Sequence, residues 1–420
     1  MRALVDCNNF FVSCERVFNP SLNGVPVIVM SGNDGCVIAR SNEAKALGIP
    51  MGAPVFQWRE VIERNNVRCY SCNHVLYGDM SRRIMTLLAE MVEDIEIFSV
   101  DEAFFTIPDD TGIDTLKQIA FRIQKCTGIP VSIGASRSRT LAKIASHIAK
   151  KECLDTTHAF ILNNRDEVRR RLAATPVGDV WGIGRRTRDK LLATNIETAL
   201  QFSMMSRKWV KSKFTITGER TWLELHGVDC TMPSPVDAPR QSLSHSRTFA
   251  TDVTDFTQLR QAIASFATTC AEKLRNEGLI AGKITVFIAG NIHHDTPQYS
   301  NSATADITYP TSSTLEIVKY ADRLFAAIFR QGYGYKRAGV FLANLSPSTN
   351  RQMKLFNPID EAKHNNLMKA VDTINTRIAY NSLHLAALSG ADEWRPKSEF
   401  RSREFTTNFS QIMTINCKEK

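Results

Sequence analysis

Apolar positions in residues 79–95 recur every three to four residues, at Met80, Ile84, Leu87, Leu88 and Met91. That spacing places them on one face of a helix. The period then changes. Ile95, Ile97 and Phe98 alternate with polar neighbours and lead into "SVDEAFFTI" (99–107), which predicts a strand or hairpin. Upstream, residues 3–5 predict a short strand that turns at 6–9 before a helix. "VPVIVM" (25–30) is apolar throughout and predicts a buried strand. "SNEAKALGIPMGAPV" predicts a helix stopped by Gly48 and Pro50. "LKQIAFRIQKCTG", "IPVSIGAS" and "RTLAKIASHIAKK" predict helix, strand and helix in turn. The order fits an α/β sandwich with helices on one face of a mainly antiparallel sheet.

From about residue 165 to 228 only helical patterns occur. "PSPVDAPRQSLSHS" (233–246), rich in Pro and Ser, predicts a linker. Residues 247–344 mix strand and helix patterns as two strand–helix–strand units, which predicts a second small α/β domain. Beyond Ser346 periodicity is poor, predicting a tail with short helices.

A length of 420 residues implies two to four domains, and 43% hydrophobic with 23% charged residues is ordinary globular composition. No apolar run reaches membrane-spanning length and no signal-like segment opens the chain, so a soluble cytoplasmic protein without a membrane partner is expected. The ten cysteines form no framework of short spacings, and Cys69 and Cys72 lack a second pair at zinc spacing, so they are expected to be ordinary thiols. Net charge is +9, and residues 163–220 hold 13 Lys+Arg against 6 Asp+Glu. A local basic surplus suggests a polyanionic partner. A solvated helix face would show the same surplus, and charge alone does not choose.

The candidate chemistry begins at Asp101 and Glu102. Two adjacent carboxylates repel, so a cation is expected beside them, either a Lys or Arg or a metal. Asp6 ends the first predicted strand. If that strand lies next to "FSVDEAF", three carboxylates meet at one sheet edge as a hard oxygen site suited to Mg²⁺ or Mn²⁺. Two such ions roughly 3.5–4 Å apart can hold both the attacking and the leaving oxygen of phosphoryl transfer. Strand alternation would point Asp101 and Glu102 to opposite faces, so a turn or twist at this dipeptide is required. An acidic hairpin exposed on the surface is the simpler alternative.

"VWGIGRRTRDKL" has its own physics. Gly182 and Gly184 permit a tight bend, amides at the next helix start can face a phosphate, and Arg185, Arg186 and Arg188 add charge. This is a helix-hairpin-helix pattern that grips the DNA backbone without reading sequence. A plain glycine turn is its alternative.

"DCNNFFVSCE", "VIARSNEAKALGIPMG", "SVDEAF", "SIGASRSRTLAKIASHIAKK" and "VWGIGRRTRDKL", in this order, resemble the Y-family translesion DNA polymerases of the UmuC type. The resemblance runs from Met1 to about Phe356. It implies a multidomain right-hand polymerase: an antiparallel-sheet palm (1–20 and 75–164), small fingers (21–74), a helical thumb with the helix-hairpin-helix (165–232), a linker (233–246), an α/β little-finger domain (247–345) and a C-terminal tail (346–420). It implies low-fidelity, template-directed DNA synthesis for lesion bypass in SOS mutagenesis, by two-metal nucleotidyl transfer from a dNTP. Asp6 and Asp101 resemble the metal-binding aspartates, Glu102 the catalytic acidic neighbour, and the backbone carbonyl of Cys7 an additional ligand for two Mg²⁺ ions, with Mn²⁺ as the alternative.

Phe11 falls at the steric-gate position that rejects ribonucleotides; a core phenylalanine is the competing role. Lys150 falls at the triphosphate-binding lysine. Asn42 and Lys45 fall where many relatives carry Tyr and Arg, so Lys45 keeps charge without the bidentate fork. Arg139 replaces a common Lys, a departure that bears on nucleotide geometry. "QMKLF", with Gln352, Met353, Leu355 and Phe356, resembles a sliding-clamp-binding peptide. Implied partners are primer-template DNA, dNTPs, a processed UmuD-type dimer, the RecA filament and the sliding clamp. Two other classes remain open: a nucleotidyl cyclase-like two-metal enzyme and a non-catalytic DNA-binding scaffold.

Overall fold

The computed structural model describes residues 1–152, 158–230, 240–293, 297–350, 361–378, 382–388 and 397–413. The chain divides into two compact units, Met1–Val236 with Glu399–Lys420, and Asp237–Ser398.

The first unit begins with β1 (Arg2–Cys7) and α1 (Phe10–Phe18). The segment β2 (Val27–Met30), β3 (Val37–Arg40), α2 (Asn42–Ala46), α3 (Arg59–Arg64) and β4 (Arg68–Ser71) follows. Its sheet has the order β3-β2-β4. The predicted buried strand is β2, whose four residues are all buried. Ser41 caps α2, and Gly48 closes it at φ +80°, a conformation that favours glycine.

Next come α4 (His74–Ala89), β5 (Glu93–Ile97), β6 (Glu102–Thr106), α5 (Ile113–Thr127), β7 (Val131–Ser136), α6 (Arg139–Glu152) and β8 (Ala159–Leu162). The main sheet has the order β5-β6-β1-β7-β8, antiparallel except for the parallel pair β7–β8. Helices cover both faces, where one covered face was expected. Ala3, Val5 and Phe105 pack against α4 and α5 through Leu76, Met80, Leu116 and Ile119. Leu4 and Phe104 pack on the other side against Ala142 of α6. The physical reason lies in the strands. All six residues of β7 are buried, so neither face of the sheet's centre can meet water. Gly134 lets α6 lie directly on β7, because a Cβ there would sit 1.9 Å from the backbone nitrogen of Ser146.

The basic segment is helical as predicted: α7 (Arg165–Ala174), α8 (Arg185–Leu192), α9 (Ala199–Ser203), α10 (Arg207–Lys213) and α11 (Thr215–Leu225). Of these short helices α7, α9 and α10 start on side-chain caps at Asn164, Thr198 and Ser206, and the segment shares a core of Leu172, Val180, Leu191, Phe202 and Leu225 with α6.

The second unit runs β9 (Ser242–Val253), α12 (Phe256–Asn276), β10 (Leu279–Ala289), β11 (Ser300–Thr311), α13 (Thr314–Ile328) and β12 (Tyr335–Pro347). Its antiparallel sheet has the order β11-β10-β12-β9, with Leu259, Phe266, Ile317 and Phe325 of the helices packed on Ile284, Val286 and Val340. Two strand–helix–strand units are therefore present. The linker expected over 233–246 ends earlier than drawn, because residues 242–246 pair with β12.

Short helices were expected after Ser346, whereas α14 (Glu361–Arg377) has 17 residues. It is held by a two-pronged ion pair between Arg275 and Asp372, both contacts at 2.7 Å, and by buried Met368. Among the described residues no helix is long and apolar enough to cross a membrane.

Candidate active site

Strand pairing brings the acidic residues together. Asp6, next to last in β1, lies directly opposite Glu102, the first residue of β6. The required turn is present at residues 98–101, where the amides of Phe98 and Ser99 donate to the carbonyl of Glu102. Ser99 Oγ accepts from the amides of Asp101 and Glu102 and donates to Asp101 Oδ1 at 2.5 Å. One serine thus holds the dipeptide in its bend. The amide of Cys7 donates to the carbonyl of Asp101 at 2.9 Å, tying the turn to β1.

The cations facing Asp6 and Glu102 here are lysines, both from α6. Lys143 Nζ lies 3.0 Å from Glu102 and over the rings of Phe98 (4.8 Å) and Trp181 (5.2 Å). Lys150 Nζ lies 2.7 Å from Asp6. Two helical turns separate these lysines, so they share a face of α6. Among the described residues no three His, Cys, Asp or Glu side chains form a metal-binding group. In donor type Asp6 and Glu102 fit a hard divalent cation, since both offer carboxylate oxygens and are only 20% and 18% exposed. The Cys7 side chain is buried and its thiol pushed well up by burial and the neighbouring carboxylates, so only its backbone is suited to a ligand role.

Beside this edge is a cavity of about 800 Å³ lined by Arg16, Arg40, Lys45, Lys150 and Lys151, with His147 and His158, and with no carboxylate among its lining residues. Lys45 Nζ donates to Asn9 Oδ1 (2.6 Å) and Asn42 Oδ1 (3.2 Å). Asn42 Oδ1 also accepts from Asn9 Nδ2 (3.1 Å), so the two asparagines and the lysine form one cluster. Burial, with Lys150 and Arg40, lowers the Lys45 ammonium below its usual range. Burial and neighbouring lysines likewise lower both histidines. Arg40 Nε is buried without a hydrogen-bond partner. Concentrated positive charge with an unspent donor suits a polyanion such as a triphosphate.

Phe11 is half-buried, neither free nor sealed in the core. It stacks on Tyr77 (ring centres 4.5 Å apart, 16° between planes) and meets His74 edge-on at 6.1 Å. Arg139 is far from such duties: 1% exposed, it forms a two-pronged pair with Glu96 and does not line the basic cavity.

In the helix-hairpin-helix segment, Gly182 has φ +92° and would bring a Cβ 2.5 Å from Thr221 Oγ1. Gly184 caps α8. Arg185 and Arg186 are exposed, whereas Arg188 pairs with Asp189 at 2.8 Å. Gln352, Met353, Leu355 and Phe356 lie outside the described residues.

Sequence reasoning missed Lys143, Ser99, Asn9, Arg40, His147 and His158. A signal existed for Lys143, which shares a helix face with Lys150 in "RTLAKIASHIAKK". None existed for Asn9, which acts from a left-handed backbone at φ 48°.

Residues 5–147 match the impB/mucB/samB family and residues 240–355 its C-terminal domain. Residues 165–196 match the IMS family HHH motif, and residues 365–415 a domain of unknown function, DUF4113. The chain is 39% identical to Protein UmuC of Salmonella typhimurium, covering 99% of this chain and 100% of that protein. It is 36% identical to Protein ImpB of Salmonella typhimurium (98% and 99%), and 26% identical to DNA polymerase IV 1 of Bacillus subtilis (96% of both). Among solved structures, a Y-family DNA polymerase chimera of Dbh and Dpo4 shares the fold, with a TM-score of 0.65, 22% identity, and coverage of 82% of this chain and 99% of that one.

Proposed function

The chain belongs to the impB/mucB/samB family, as a UmuC-type Y-family DNA-directed DNA polymerase that acts on primer-template DNA and dNTPs, and from that premise we propose how its residues divide the work. The activity is translesion synthesis with a divalent-metal requirement; its setting is SOS mutagenesis in the cytoplasm. Asp6, Asp101 and Glu102, with the Cys7 carbonyl, hold two Mg²⁺ ions, with Mn²⁺ as the substitute. When bound, such ions supply charge neutralisation on the phosphates and a more acidic primer hydroxyl. The observation that carries this reading is the direct cross-strand pairing of Asp6 with Glu102, beside a cavity whose charged lining is entirely basic.

The other side chains bind and orient. Lys150 and Lys45, the latter held by Asn42 and Asn9, take the triphosphate, joined by Arg40. Phe11 blocks the space a 2′-hydroxyl would need. Gly182 and Gly184 shape, and Arg185, Arg186 and Arg188 charge, a sequence-independent grip on the DNA backbone. We assign palm to 1–20 and 75–164, fingers to 21–74, thumb to 165–232, linker to 233–241, little finger to 242–345, counting β9 from its start at Ser242, and tail to 346–420. A processed UmuD-type dimer and RecA filament are the proposed protein partners. Gln352, Met353, Leu355 and Phe356 are the proposed sliding-clamp contact.

The lysine-paired carboxylates are also what a non-catalytic DNA-binding scaffold would display, and one assay separates the readings. Purified protein with the UmuD-type dimer and RecA filament is given Mg²⁺, dNTPs and a primer on a template carrying an abasic site. Extension past the lesion is expected. DNA binding without extension on any template would leave the scaffold, and release of cyclic nucleotide would leave the cyclase.

A further inference from the structure

We propose that Ser402, in the C-terminal segment, helps set the enzyme's sugar discrimination by fixing, through Glu15 and Tyr77, the ring of Phe11. The inference rests on the reading of Phe11 as the gate against the 2′-hydroxyl. It gives a role to part of the region that matches only a domain of unknown function.

The segment is anchored where fingers and palm sequences meet. Phe400 exchanges two hydrogen bonds with Ser71 at the end of β4: its amide donates to Ser71 Oγ (2.9 Å) and its carbonyl accepts from the Ser71 amide (3.1 Å). Asn73 Nδ2 donates to the Ser402 carbonyl (3.1 Å) and hydroxyl (3.0 Å), while Asn73 Oδ1 caps α4 by accepting from the Leu76 amide. Phe405 stacks on Phe18 of α1 at 4.8 Å with 9° between planes. A single asparagine thus ties the segment to the first turn of α4, and α4 carries Tyr77 four residues later.

Glu15 joins the two. It stands on α1 one turn after Phe11, at 2% exposure. One oxygen, Oε1, accepts from Tyr77 Oη at 2.6 Å and from Ser402 Oγ at 2.9 Å. A carboxyl this buried must be matched by donors, and among the described residues Ser402 and Tyr77 are the side chains that supply them. Tyr77 cannot tilt without breaking its bond to Glu15, and its ring covers one face of Phe11. A gate works by excluding a single oxygen atom, so small displacements of its ring decide the outcome. Ser402, Glu15 and Tyr77 are positioning residues, since none of them is placed against the nucleotide.

The test is single-nucleotide primer extension by the full chain with its partners, measuring kcat/KM for matched rNTP and dNTP. Variants are Phe11→Ala, Ser402→Ala, Tyr77→Phe and the double variant Phe11→Ala/Ser402→Ala. Tyr77→Phe keeps the stacked ring and removes only the hydroxyl, so it carries the test even if loss of Ser402 impairs folding. Phe11→Ala is expected to raise the rNTP/dNTP ratio most. Ser402→Ala and Tyr77→Phe are each expected to raise it about fivefold, the scale of one net hydrogen bond. The double variant is expected to match Phe11→Ala alone, because a positioning residue has nothing left to position. A raised ratio for Phe11→Ala with wild-type ratios for the other two single variants would overturn the relay and leave the gate standing. An additive double variant would also overturn it. An unchanged ratio for Phe11→Ala would remove the gate reading, and the relay with it.

Discussion

Lys150 joins the acidic sheet edge to the basic cavity: its ammonium lies 2.7 Å from Asp6 and also lines the cavity. A charge-assisted hydrogen bond contributes about 1.5–3 kcal/mol. Lys150→Met is therefore expected to raise the KM for dNTP by about 10–100-fold in steady-state extension. An unchanged KM would confine Lys150 to pairing with Asp6. At this scale the sequence was informative about which residues stand together, as at Asp6, Lys45 and Lys150, which meet at the sheet edge and its neighbouring cavity. It was silent where a role follows from backbone geometry. Ser99 matters because a turn aims its hydroxyl at two amides, and Asn9 because a left-handed φ aims its amide at Lys45. Arg139 shows the converse. Its place in the motif marked a departure that bears on nucleotide geometry, whereas burial at 1% exposure sets its guanidinium against Glu96.

Elements whose apolar period was strong were found: α5, α6 and β2 fall where the pattern put them, while α4 begins five residues before the 79–95 pattern and ends at Ala89, leaving Met91 beyond it and residues 93–95 in β5. The misses have physical causes. β11, "SNSATADITYPT", offers few apolar side chains, because it is an edge strand held by backbone pairing with β10. α14 is fixed by the Arg275–Asp372 pair and Met368, which a search for amphipathic spacing does not weigh. The first residues of β9 were hidden by Ser-rich composition, while pairing with β12 decides their state. The helix-hairpin-helix was legible, because Gly182 needs its positive φ and α8 carries its arginines at the start. Its prediction concerns salt. Arg185→Ala and Arg186→Ala should each weaken binding to all DNA sequences alike and flatten the plot of log affinity against log salt by about one unit. Sequence-dependent weakening, measured by titration at several salt concentrations, would contradict a backbone grip.

For the molecule as a whole, the two units divide the chain after Val236, and the C-terminal residues from Glu399 return to the first unit. That return was not visible in the sequence, because Ser402 and Phe405 find partners some 330 to 390 residues away, through contacts that no local pattern encodes. The net charge of +9 was visible, and it falls where a polyanion would be held: the helical segment and the cavity beside Asp6. The central claim is that the acidic edge built by β1 and the 98–101 turn performs the chemistry, while the basic surfaces bind. Asp101→Asn tests it most directly, since the amide oxygen can still accept from Ser99 and only the charge is lost. Single-turnover primer extension with Mg²⁺ should slow about a thousandfold, a loss of about 4 kcal/mol of transition-state stabilisation, with DNA affinity within twofold of the unaltered protein. Extension within tenfold of the unaltered rate would contradict the account.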